Sequence, residues 1–138
     1  MINIERTLYT AHTYTAGGRE GHALSLDGRL DLKLSPPGAP GTGTNPEQLF
    51  AVCWSACFLG SLRHACNARK ISFPDKACVD AQVDLAHGEQ GFFLQVRLVV
   101  SLPDIEAETA LQLIELAHQN CPYSKATRDN IDVSITLG

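Results

Sequence analysis

The chain carries no surplus of positive charge: 11 Lys and Arg stand against 15 Asp and Glu in 138 residues, a formal net charge of −4. Without a cationic excess it lacks the term that supplies most non-specific affinity for nucleic acid, and that class of partner is set aside. Its longest uncharged apolar stretch, Leu49 to Leu62, is too short to span a bilayer. The opening Met1-Ile-Asn-Ile-Glu-Arg6 has no basic segment leading into an apolar one, so no secretory signal is read there. The expectation is a cytoplasmic protein without a membrane partner. No Gly-x-Gly-x-x-Gly or P-loop is found, which sets aside the usual nucleotide-phosphate cradles, and no Gly-x-Ser-x-Gly elbow supports a serine hydrolase.

With 44% hydrophobic and 19% charged residues, the composition is that of a globular protein rather than a disordered one. The length allows a single domain spanning 1–138. Five cysteines are an odd number, and without a signal segment they read as thiols in a reducing compartment, not as a disulfide framework. Some of them can then be chemically active. The plain alternative is that all are small buried hydrophobes.

Strands are expected near 4–15, 22–26 and 29–34, with Asp27-Gly28 as a tight hairpin turn. Residues 35–44 hold too much Pro and Gly for either regular element and form a surface loop. Asn45 can then cap a helix that Pro46 opens, with Glu47 at its positive dipole end. From Leu49 to Ala68 this helix is apolar on most faces until Arg63, which predicts central burial over its first half and sheltered cysteines. Alternation from Cys78 to Ala86, a turn at 87–91 and a strand from Phe92 to Leu102 predict an antiparallel hairpin. A second helix runs from about Ile105 to Gln119, capped by Asp104 and ended by Pro122. A last strand covers Ile131–Leu137. The order βββ-α-ββ-α-β, read as hairpins without βαβ crossovers, gives an α+β fold of antiparallel sheets around a central buried helix.

Cys53 and Cys57 lie four apart and share one helix face. Cys57 sits between Ala56 and Phe58, where desolvation alone raises a thiol's pKa, so an active Cys57 needs a cationic neighbour. Arg19, in the loop Gly17-Gly18-Arg19-Glu20-Gly21, and Arg128 are the donors the sequence offers. Cys121, at the exit of the second helix and just before Pro122, is expected to be more accessible than a mid-helix thiol. Cys66 and Cys78 have no charged or motif context and read as structural. Cys53-x3-Cys57 and His118-x2-Cys121 lack the paired spacing of a zinc site, so no metal is expected. His12, His22, His64 and His87 read as surface or strand residues.

Three separated segments, Thr44-Asn-Pro-Glu-Gln-Leu-Phe50, Ser55-Ala-Cys57-Phe58 and Cys121-Pro-Tyr-Ser-Lys-Ala-Thr-Arg-Asp-Asn-Ile131, with Gly-Gly-Arg19 upstream, resemble the OsmC/Ohr family. The Cys-Pro-Tyr-Ser run into Ala-Thr-Arg resembles its organic hydroperoxide resistance branch. The resemblance spans nearly the whole chain. It implies an intertwined α+β homodimer and a thiol peroxidase that reduces organic or fatty-acid hydroperoxides. In that reading Cys57 is the peroxidatic cysteine and Cys121 the resolving one, with an intramolecular Cys57–Cys121 disulfide. Arg19 stabilises the thiolate and Glu47 holds Arg19. The resemblance implies no bound cofactor, and dihydrolipoyl groups on a lipoylated protein as the reductant. Phe50, Leu59 and Tyr123, with Phe92 or Phe93, would line an apolar substrate pocket. Two departures stand out: Cys53 replaces a small residue and Asp129 replaces a glycine, which leaves Cys53 open as a second disulfide partner and the loop after Cys121 open to change.

Glu47 and Cys57 are ten residues apart, about 15 Å along a straight helix at 1.5 Å per residue. The resemblance therefore favours a site in which Arg19 and Glu47 of one subunit serve Cys57 and Cys121 of the other. Two other readings of the same cysteines are an acyl-transferring thiol hydrolase such as a thioesterase, for which no histidine base is marked by a motif, and a redox-sensing thiol protein without turnover.

Overall fold

The computed structural model describes residues 2–138. The chain divides into two compact units, one up to Pro46 and one from Glu47 onward.

In the first unit β1 (Thr13–Ala16), β2 (His22–Ser25) and β3 (Asp31–Lys33) form an antiparallel sheet in that order. The strand expected over 4–15 is cut to its last residues, because a strand persists only where a neighbour bonds it, and β2 offers four residues to β1. Ile4, Leu8 and Tyr9 are exposed ahead of it, outside any regular element. The Asp27-Gly28 turn is present: Gly28 takes φ 76°, and Asp27 accepts hydrogen bonds from Ser25 Oγ at 2.6 Å and the Arg29 N–H at 3.0 Å. β1 and β2 are joined by a 3-10 turn, Gly18–Glu20. Gly17, at φ 77°, enters this turn, and at Gly21 an added Cβ would fall 1.7 Å from the Ala16 carbonyl oxygen. Glycine is thus required on both sides of Arg19.

The second unit opens with α1 (Pro46–Ala68), which begins on Pro46 as the sequence predicts. Its 23 residues, with a mean hydropathy of 1.3 over an 18-residue stretch, match a membrane span by length and composition, yet one stripe, Trp54, Phe58, Leu62, Ala65 and Cys66, is buried in the core of this unit. The expected burial on most faces is not met within the chain. Val52 is 66% exposed and Cys53 is exposed, because the sheet of this unit can cover only one side of the helix.

That sheet runs in the order β4 (Cys78–Gly88), β5 (Gly91–Ser101), β6 (Asp132–Leu137). Alternation gives each strand an inward set, and register aligns the sets into three cross-strand rows: Val83–Val96–Val133, Ala81–Leu98–Ile135 and Val79–Val100–Leu137. Such rows are the unit of sheet stabilisation. The β4–β5 hairpin is antiparallel as expected, but its strands extend through Gly88 and Gly91 and leave a shorter turn than 87–91. β6 pairs parallel to β5, contrary to the reading without βαβ crossovers. Alternation specifies which face a residue occupies and carries no information on strand direction.

The crossover holds α2 (Ala107–Asn120) and α3 (Pro122–Thr127). α2 starts two residues later than expected, with Glu106 as N-cap, because Asp104 takes a left-handed φ of 66° and serves the turn after Pro103 rather than the cap. Ala110, Leu113, Ile114 and Ala117 complete the core.

On the outer face of this sheet, Arg97 Nη1 and Nη2 donate to the two oxygens of Asp84 at 2.7 and 2.9 Å, and Gln95 Nε2 donates to the same carboxylate at 2.7 Å. These hydrogen bonds, with Arg97 first, hold the Asp84 carboxyl at about 2. A carboxyl lowered by folding contributes stability that is present above its unfolded pKa, near 4, and lost as pH falls through about 2. Asp84→Asn is therefore expected to flatten the loss of thermal stability across that window, as read by melting temperature against pH. An unchanged slope would mean the pair is screened out.

Candidate active site

Cys57 lies in the middle of α1, half-buried beside the core. Cys121 occupies the junction where α2 ends and α3 begins: its N–H donates to the Ala117 carbonyl at 2.8 Å, and its own carbonyl accepts from the Lys125 N–H at 2.9 Å. Pro122 ends α2, as the sequence predicts, and also opens α3 at a position where no N–H is needed. Cys121 is fully buried, the reverse of the accessibility expected for a helix exit, because it belongs to the core cluster with Trp54, Phe58 and Ala117.

Cys57 packs against the core cluster that holds Cys121, and both Cys121 and the Tyr123 backbone N–H bear on its thiol. Burial is the largest influence on Cys57 and pushes its thiol up; the neighbouring Cys121 thiol pushes the same way, and the Tyr123 N–H pulls it down. The protonated form is thus favoured by the surroundings within this unit, in line with the requirement for a cation.

A tryptophan fixes this geometry. Trp54, one turn before Phe58 and fully buried, donates from Nε1 to Ser124 Oγ at 3.2 Å, tying α1 to α3. Phe50 stands edge-on to both Trp54 and Tyr123, with ring centroids 5.8 and 6.4 Å away. The Tyr123 phenol is pushed up first by burial and then by the nearby thiols, Cys53 foremost. The sequence placed Phe50 and Tyr123 together and missed the influence of Cys53 on Tyr123.

A cavity of about 790 Å³ opens beside Cys57, lined along α1 by Gly60, Ser61, His64, Ala65 and Ala68 and across from it by Leu116, Asn120 and Pro122. The apolar residues expected around a substrate lie elsewhere than in its walls. Leu59 packs against the core instead; Phe92 and Phe93 are exposed at the far end of the β4–β5 hairpin. The signal that would have found it is a run of small residues at helical spacing from Cys57, read in the sequence only as apolar character.

Arg19 belongs to the first unit and Glu47 to the first turn of α1. Arg128 donates from Nη2 to the His118 carbonyl at 2.6 Å. Asp129 takes φ 63°, a conformation that glycine adopts freely and other residues at a cost of about 1 kcal/mol. The aspartate is thus held in a glycine-like backbone. Cys66 is buried and Cys78 exposed at the start of β4. Among the described residues no three His, Cys, Asp or Glu side chains converge as a metal would require.

The family model described as OsmC-like protein matches residues 39–136. The chain belongs to the OsmC/Ohr family. An organic hydroperoxide resistance protein of Xanthomonas axonopodis pv. citri is 45% identical over 99% of both chains. OhrB of Bacillus subtilis, also named an organic hydroperoxide resistance protein, is 44% identical over 94% of this chain and 98% of its own. Its crystal structure superposes with a TM-score of 0.91, covering 96% of this chain and all of that one. Within this OsmC/Ohr fold, the two-sheet α+β architecture and the helix carrying Cys57 follow the solved relative throughout.

Proposed function

We propose that this OsmC/Ohr chain detoxifies organic hydroperoxides as a cysteine-based peroxidase. The observation that carries the reading is the packing of Cys57 against the core cluster that holds Cys121, beside a largely apolar cavity, and the names of the full-length relatives point to the same substrates. The Cys57 thiolate attacks the distal peroxide oxygen; the O–O bond breaks, the alcohol departs with a proton, and Cys57 becomes a sulfenic acid. The Cys121 thiol then attacks the Cys57 sulfur, water leaves and a disulfide forms. A dithiol, for which dihydrolipoyl groups of a lipoylated protein are the expected source, restores both thiols in the cytoplasm.

Because burial raises the Cys57 thiol, the proposed role of Arg19, held by Glu47 and supplied within a homodimer by the other subunit, is to return the thiolate. Arg19→Ala is expected to move the pH profile of Cys57 alkylation upward and slow it at neutral pH by roughly 10- to 100-fold, the usual range for losing a close opposite charge. An unmoved profile would remove Arg19 from the site.

Turnover with a dithiol reductant tests the reading as a whole. A cavity that gains about 0.8 kcal/mol per covered methylene should favour cumene hydroperoxide over hydrogen peroxide by at least roughly tenfold in kcat/KM. Equal efficiencies would mean that the apolar walls do not meet the substrate, and no turnover with either peroxide would reject the peroxidase.

A further inference from the structure

The corner between α2 and α3 is closed by a bond that neither helix supplies. Each carbonyl of an α-helix accepts from the N–H four residues on, and at the end of α2 this gives Ala117 the N–H of Cys121, at 2.8 Å. The next carbonyl, that of His118, falls opposite residue 122, which is proline and has no N–H to give. The chain also leaves the helix there, with Cys121 at φ −61° and ψ 124°. The guanidinium of Arg128 takes over: its Nη2 donates to the His118 carbonyl at 2.6 Å, across ten residues of sequence, as arginine can do at helix C-termini.

Arg128 is itself fixed by α3. Its N–H donates to the Ser124 carbonyl at 3.0 Å, and at the other end of the same helix the Cys121 carbonyl accepts from Lys125 at 2.9 Å. A helix of six residues is too short to hold itself together in water, so its placement depends on ties to its neighbours. The bond from Trp54 to Ser124 ties α3 to α1. The bond from Arg128 ties the far end of α3 back to α2, and Cys121 is the single extended residue on which that corner turns.

We propose that Arg128 is a positioning residue for the resolving step: by capping α2 at His118 it keeps the α2–α3 corner closed and holds the Cys121 thiol within reach of Cys57. The step so governed is the attack of the Cys121 sulfur on the Cys57 sulfenic acid, in which the S–S bond forms, the S–O bond breaks and the hydroxyl leaves as water with the thiol proton. A reacting pair held in one geometry gains rate that a loosely hinged pair lacks. Arg128 is not among the groups that bear on the Cys57 thiol, so the thiolate-stabilising role that the sequence left open for it alongside Arg19 is not assigned to it.

This inference rests on the peroxidase reading, and the two steps of a single turnover separate them. Reduced protein, freed of reductant, receives one equivalent of cumene hydroperoxide; peroxide is followed directly, and samples quenched with dimedone, which captures sulfenic acids, are read by intact mass. Arg128→Met keeps a long side chain without the donor. It is expected to consume peroxide at the wild-type rate, to form the disulfide roughly tenfold more slowly, the scale of one charge-assisted hydrogen bond, and to accumulate the dimedone adduct of Cys57. Arg128→Lys keeps a charged donor on a shorter reach and without the planar fork, and is expected to fall between the two, with a delay of roughly threefold. Should Arg128→Met not fold, Arg128→Lys decides by that delay. Disulfide formation at the wild-type rate in the deciding variant overturns the positioning role, and so does slower peroxide consumption, which would place Arg128 on the Cys57 thiolate or in the fold at large. No peroxide consumption by wild type overturns the peroxidase reading and this inference with it.

Discussion

Cys57→Ser is expected to lower turnover of organic hydroperoxides by roughly three orders of magnitude or more, the scale seen when an enzyme loses its nucleophile. The substitution is nearly isosteric, and Cys57 is half-buried at the edge of the core rather than inside it, so the fold should survive and the loss should be chemical. Serine would keep a hydroxyl near Cys121 and the Tyr123 N–H, the two polar groups that bear on the thiol. It cannot form a sulfenic acid. Cys66→Ser and Cys78→Ser are the proper comparison: neither residue is among the groups that bear on the Cys57 thiol, so most turnover should remain in both, although Cys66 is buried and its replacement by a more polar side chain should cost stability. Steady-state assays on the three variants, with folding checked by circular dichroism, settle the matter. Near-wild-type turnover in Cys57→Ser would remove this thiol from the chemistry.

The second large effect falls on stability and reaches the site through packing. Trp54 is fully buried among α1, β5 and α2 and donates its indole N–H to Ser124. Truncation to alanine leaves a cavity where the ring stood, at a cost of about 3–5 kcal/mol. In a domain of this size that lowers the melting temperature by roughly 10–20 °C. Trp54→Phe keeps most of the volume but not the donor, and should cost less than half as much. Because the lost hydrogen bond links the helix of Cys57 to the helix that follows Cys121, Trp54→Phe is also expected to slow disulfide formation after oxidation while leaving the first attack on peroxide largely intact. Thermal melts and the rate of thiol loss after a single addition of peroxide read the two effects separately. A melting temperature for Trp54→Ala within a few degrees of wild type would show that the site is not braced by this side chain.

Much of this arrangement is legible before folding because its signals are local. Pro46 starts α1, and the alternating residues of β4 and β5 each point to one face, since one turn or one pleat contains the relevant physics. β6 is legible as a strand but not in direction. α3 is hidden because six residues carry too little periodicity to register, and so is the burial of Cys121, which depends on core packing that no local signal reports. The shortened β1 has the opposite origin: residues 4–12 have strand-like composition, but a strand needs a bonded neighbour and composition does not supply one. At the site, Cys57 and Cys121 are picked out by motif, whereas the tie from Trp54 to Ser124 and the influence of Cys53 on Tyr123 join residues far apart in sequence and belong to tertiary packing alone. The cavity beside Cys57 was not anticipated, for a related reason. Large apolar residues draw the eye in a sequence, whereas small ones, Gly60, Ser61 and Ala68, make this space.

The central claim is that hydroperoxide oxidises Cys57 and that a neighbouring thiol resolves it. Intact mass of reduced wild type and of Cys57→Ser, taken side by side after one equivalent of cumene hydroperoxide and without added reductant, tests it most directly. The account requires wild type to lose about two daltons, the mass of the two hydrogens released on forming one disulfide, with the peroxide consumed, while Cys57→Ser keeps its mass and leaves the peroxide in solution. The same two-dalton loss in both proteins, or no change in either, would contradict it.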